Sequence, residues 1–322
     1  MSRCLLLLLA SVLTIATIRP AAQSTAPSTA KSATQSTALF TFHSNPWLNL
    51  HHFARARARG GNQAMTGLSE EEARRWVAGV EFYKPFAARD LLMDDGLVEI
   101  KKALRDAEDK ASLDGIAIDG NLKATLEGLM PIYRKHWWPE HDRANRAWIA
   151  AVQPLLARHG AAISQALVRA YDTAWPSTPI PVDLTVVAGA TGAYTTGPPT
   201  LVTMQSTERS MQGLASLEML FHESSHSPVS HLFQRVDQAA RAANVTVPRQ
   251  LWHAVLFYTA GELTRRELEA HGIAYREYAD AQLYTNLCGG GCRDKIVEHW
   301  KPRLDGRQSV ADALGALVAS FK

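Results

Sequence analysis

The chain has 322 residues, 46% hydrophobic and 20% charged, the make-up of an ordinary globular protein with room for one large domain or two smaller ones. Lys and Arg number 34 against 31 Asp and Glu, a formal charge of +3. Removal of a leader carrying Arg3 and Arg19 brings the balance near +1, which gives no global bias toward nucleic acid or an anionic membrane.

Residues 1–22 read as a secretory signal peptide. Arg3 supplies the positive start, Leu5 to Ile18 an apolar run too short for an ordinary span, and Ala21 and Ala22 the small residues near a cleavage point. An uncleaved anchor is the alternative. The mature protein is then secreted or periplasmic, with no stable membrane insertion. Residues 23–38 are almost all Ser, Thr, Ala, Gln and Pro and read as a disordered spacer.

From Leu39 the chain carries His43, His51 and His52 among aromatic residues. Two readings stand: a segment lining an active cleft, or a helix start capped by Ser44 or Asn45 with Pro46 in its first turn. Ser69 and Glu72 make a capping box. Helices are then predicted at about 89–112, 119–136, 141–157 and 160–174, so that 39–176 forms a helical N-terminal region. Trp175, Pro176, Pro179 and Pro181 break the pattern and mark a boundary. Strands follow at 182–188, 193–196 and 200–206. The fold class is α+β, mostly α.

A helix from about Gly213 carries His222-Glu223-Ser224-Ser225-His226. Imidazoles at i and i+4 stand one turn apart on one side of a helix, where both can reach a single Zn²⁺. Glu223 is placed to take a proton from water activated by that metal. Three fixed letters need a third ligand. His231 is at the wrong spacing. Glu262 continues the apolar face of Leu251, Val255 and Tyr258 on a helix starting near Pro248, and a carboxylate there needs a metal or a charged partner. Gly261 beside it permits close approach of a neighbouring helix. The other reading of Glu262 is an ion pair with Arg265 or Arg266. Cys288 and Cys292, the two cysteines left after leader removal, read as one disulfide.

His222, Glu223 and His226 with a downstream Glu262 resemble the gluzincin group of zinc metallopeptidases, over about 180–270. The resemblance implies a zincin-like architecture in 177–322, with one Zn²⁺ on His222, His226 and Glu262 and with Glu223 as general base. It also implies peptide or protein substrates bound along an edge strand at Ala193, Tyr194 and Thr195. The position that holds a metal-orienting Asp in thermolysin-like members is Arg266 here. An oxyanion donor has no motif to select it; Tyr275, Tyr278, Tyr284 and His271 are the candidates. Hydrolysis of a non-peptide amide or ester, and a non-catalytic metal-stabilised secreted protein, are the alternatives.

Overall fold

The computed structural model describes residues 35–36, 39–60, 67–226 and 229–322. The leader expected over 1–22 and most of the spacer lie outside them. Within the spacer, Gln35–Ser36 forms a short strand, β1, antiparallel to β2 (Phe40–His43).

Asn45 then starts α1 (Pro46–Gly60): its Oδ1 accepts the N–H groups of Trp47 and Leu48 at 2.8 and 3.1 Å. Residues 46–55 of α1 are all buried. The expected capping box opens α2 (Glu70–Phe82). A short helix, α3 (Lys84–Ala87), comes next, and of the helix expected over 89–112 only α4 (Asp95–Arg105) forms. Asp90 folds back on the N–H groups of Leu92 and Met93, and Asp94 caps Leu97 at 3.0 Å. Short acidic side chains compete with helical bonding in this way.

Next come α5 (Gly120–His136) and α6 (Trp138–Leu155), which runs through a π-helical turn, Leu156–Gly160, into α7 (Ala161–Tyr171). Strands β3 (Ile180–Thr185), β4 (Ala193–Thr196) and β5 (Leu201–Gln205) follow. The rest is helical: α8 (Leu214–Ser224), α9 (Leu232–Ala243), α10 (Leu251–Ala270), α11 (Ala281–Cys288), α12 (Cys292–His299), α13 (Lys301–Leu304) and α14 (Val310–Ala319). The class is α+β, mostly helical. Cys288 and Cys292 are bridged. Among the described residues no helix is long and apolar enough to cross a membrane.

The sheet runs in the order β1-β2-β3-β5-β4. β2, β3 and β5 are parallel neighbours, with Phe40 opposite Ile180 and Val182 opposite Val202. β4 is antiparallel to β5 and ends the sheet. The described residues pack as one unit around two apolar clusters. One lies within 47–133, around Trp47, Trp76 and Tyr133. The other joins Phe40, Phe42 and residues 148–171 to the sheet and the C-terminal helices. The apolar division therefore does not fall at the proline-rich 175–181, because β2 pairs with β3 across it and draws α6 and α7 to the sheet. A buried polar seam ties α1 to β3, where Asn49 donates to Leu184 O at 2.9 Å and accepts from Val186 N–H at 3.2 Å.

Candidate metal centre

Helix α8 is buried from Ser216 to Ser224, with Glu218, His222 and Glu223 among the residues enclosed. It ends at Ser224, two residues before His226. The Ser224 and Ser225 hydroxyls donate to Phe221 O at 3.2 and 2.7 Å, and the His226 N–H bonds Glu223 O in a tightened turn. The two imidazoles still meet, with ring centroids 5.1 Å apart.

The third member of the group is His253. It sits in the first turn of α10, with Nε2 3.2 Å from His222 Nε2 and its ring 5.1 Å from that of His226. The three donor nitrogens lie within 4.8 Å of one another. Two nitrogens on one tetrahedral zinc stand about 3.3 Å apart, which the His222–His253 pair matches. Aromatic packing fixes the rings. Phe257, one turn after His253, stacks on His222 at 3.8 Å, and Trp252 stacks on His253 at 5.0 Å. Burial holds His226 down at about 3 and His253 at about 4 and keeps His222 well below its usual value, with the neighbouring imidazoles adding to the effect at His222 and His226. All three are therefore neutral at pH 7, the form that binds a metal. His222 Nδ1 is buried without a partner, so the usual outer hydrogen bond to a metal-binding imidazole is missing there.

Glu223 lies beside the three rings, with Oε2 3.8 Å from His226 Nε2. Thr195 on β4 donates to Oε2 at 2.7 Å and lies 2.9 Å from the backbone oxygen of Glu223. Burial lifts the Glu223 carboxyl to about 7, opposed by the Thr195 hydrogen bond and by the buried Lys101 ammonium. A divalent cation alongside would draw it lower. Lys101 itself donates to Thr196 Oγ1 at 3.3 Å and to Leu201 O at 3.1 Å, and sits over the Tyr194 ring.

Glu262 is not in this group. Its Oε2 accepts from Arg265 at 2.6 Å and its Oε1 from Arg266 Nε at 2.7 Å. Burial pushes its carboxyl up, but the two guanidinium hydrogen bonds outweigh this and leave it below its usual value. The ion-pair reading is thus the one observed. His253 and Glu262 are nine residues apart, two and a half turns, so they leave α10 on opposite faces. Residues 254–264 are buried all round, so an apolar stripe could not say which face meets α8. The one sequence signal for His253 is weak: a histidine one turn before Phe257, in the apolar first half of the helix. Gly261 does admit close approach, since a Cβ there would lie 3.0 Å from Glu218 Oε1 of α8.

The oxyanion candidates scatter. The Tyr275 hydroxyl donates to Glu218 Oε2 at 2.6 Å, and the Tyr278 N–H donates to the same oxygen at 3.0 Å. The Tyr278 ring stacks on Phe257 at 6.2 Å, one ring removed from His222. His271 packs against His159, and Tyr284 is buried in the larger apolar cluster. The histidines of the first helix fill structural places: His51 bonds the Tyr83 hydroxyl at 2.9 Å and His52 that of Tyr194 at 3.1 Å. A cleft of about 510 Å³ reaches β4 at Tyr194, and the three imidazoles are not among its lining residues. Half-buried His226 and His253 face outward beside Trp252, which touches Phe233, 55% exposed.

No protein-family model matches the chain, and neither a curated protein nor a solved structure matches it.

Proposed function

We propose that this chain is a zinc-dependent hydrolase of zincin-like architecture that cleaves peptide bonds. The observation that carries the reading is the convergence of three neutral imidazoles, His222, His226 and His253, beside the buried carboxylate of Glu223. This keeps the motif helix and edge strand of the gluzincin resemblance and replaces its glutamate ligand with His253. Zinc held there would supply a Lewis acid that polarises a carbonyl and acidifies water. Glu223 takes the proton of the attacking water and passes it to the leaving amine. Thr195 aims Oε2 for that task. β4 ends the sheet next to Glu223, which favours a peptide laid along it as an added strand over a compact amide or ester. The bridged Cys288 and Cys292 favour an oxidising compartment, in line with a secretory leader.

The test is elemental analysis of purified protein together with hydrolysis of a peptide library. About one zinc or more per chain and cleavage by wild type, with cleavage lost and metal kept in Glu223→Gln, support the reading. Wild-type cleavage by Glu223→Gln, or no bound zinc, overturns it.

A further inference from the structure

A second group of donors lies at the other end of α10, where the function proposed above makes no use of it. His159 belongs to the π-helical turn Leu156–Gly160, the one such turn among the described residues. A π turn carries an extra residue and is a local cost that proteins retain mostly at functional positions. Here it sets an imidazole of 0% exposure against the last turn of α10. His159 Nδ1 lies 3.0 Å from Glu267 Oε1, and His271 Nδ1 lies 3.2 Å from the same oxygen and 2.9 Å from the Glu267 backbone oxygen, a contact that a bound ion would displace. The two rings meet edge to face at 4.9 Å, and the three donor atoms lie within 4.8 Å of one another. His159 Nε2 is buried without a partner, so the polar role of this ring rests on Nδ1 alone.

We propose that His159, Glu267 and His271 form a second metal site, which takes a divalent cation of the zinc class and braces the end of α10 against the π turn. Two imidazoles and one carboxylate are a zinc donor set, and the two imidazole-to-carboxylate separations are close to the edges of about 3.3 Å expected around one ion. A purely oxygen-seeking cation such as Mg²⁺ or Ca²⁺ is disfavoured by the two nitrogens. Entry is open. His271 is 47% exposed at its side chain, and Glu267 lines a cleft of about 640 Å³ together with Ile163 and Leu263. Water from that cleft completes the coordination. The nearest cation on α10, Arg266, is engaged by Glu262 and Asp305 at 2.7 and 2.8 Å. The site is independent of the hydrolase reading, since His253 in the first turn of α10 and His271 at its C-cap stand eighteen residues apart, roughly 27 Å along the helix axis.

The experiment strips the full chain with a chelator and titrates it with ZnCl₂, reading bound equivalents and thermal midpoint. Wild type should take two equivalents. Glu267→Gln and His271→Ala should each take one, with affinity for the lost equivalent down at least tenfold. In His253→Ala, zinc should still raise the thermal midpoint by several degrees, and adding His271→Ala should abolish that rise. Wild-type stoichiometry and affinity in Glu267→Gln, or in a folded His271→Ala, overturns the proposal. So does a zinc-induced rise that survives in the double variant. One equivalent in wild type, lost in His271→Ala and kept in His253→Ala, upholds this site and removes the proposed catalytic one. Glu267→Gln changes one oxygen to nitrogen and retains side-chain size, so it carries the test if His271→Ala fails to fold.

Discussion

At the residue scale, two carboxylates of the sequence motif and its surroundings do different jobs. Glu223 is buried, protonatable near neutrality and aimed by Thr195. Replacing it with Gln keeps the shape and removes the base, so kcat is expected to fall by about 10²–10⁴ with zinc retained. Steady-state rates and metal content on one preparation check this. Glu262 is held by two arginines and is directed away from the imidazoles. Glu262→Ala should therefore keep its metal and lose stability, by about 1–3 kcal/mol, since the two arginines left behind are partly exposed and can be hydrated. His253→Ala should do the reverse at the metal and release zinc. Denaturant unfolding and metal analysis of the two variants separate the cases; zinc loss in Glu262→Ala alone would restore Glu262 as the third ligand.

At the scale of elements, the site depends on how closely α8 and α10 approach. Gly261 allows it, because a methyl group there would meet Glu218 Oε1 at 3.0 Å and Glu277 at 3.2 Å. Glu218 cannot easily yield, with Oε2 pinned by the Tyr275 hydroxyl and the Tyr278 N–H. Gly261→Ala is expected to cost about 1–3 kcal/mol and to weaken zinc binding by shifting His222 against His253. A variant with wild-type midpoint and zinc affinity would remove this contact from the account. Burial raises the Glu218 carboxyl from 4.5 to about 7. The folded state then holds a proton that the unfolded chain releases, so stability is fully present below about pH 4.5 and is lost as pH rises through about 7. Relative to wild type, Glu218→Gln should flatten that decline, worth up to about 3 kcal/mol. Urea midpoints between pH 4.5 and 7.5 measure it, and parallel curves for the two proteins would count against it.

At the scale of the whole molecule, two apolar clusters, a parallel strand pairing and one disulfide hold the described residues together. The Cys288–Cys292 bridge closes a loop of only a few residues, so its effect on the unfolded chain is small, about 2 kcal/mol. The double variant Cys288→Ala and Cys292→Ala should melt roughly 3–6 °C lower and keep its zinc. Calorimetry decides, and a collapse of the fold would show that the bridge does more than close a loop. The seam between clusters rests on Asn49, whose amide serves both Leu184 O and Val186 N–H. That joint, with Lys101 on Leu201 O and Arg105 on Asp183, makes the N-terminal helices part of the same body as the sheet.

The local features were legible in the sequence because their causes are local. The Ser69 capping box, the Asn45 cap with Pro46 behind it, the His222 and His226 spacing, the edge strand at 193–196 and the cysteine pair each depend on residues a few positions apart. Tertiary structure alone decided the rest. β2 is a strand because Phe40 finds Ile180, and the apolar division falls away from the prolines for the same reason. The third imidazole is His253 because packing, and no periodicity within a helix buried on every side, chose the face that α10 turns toward α8.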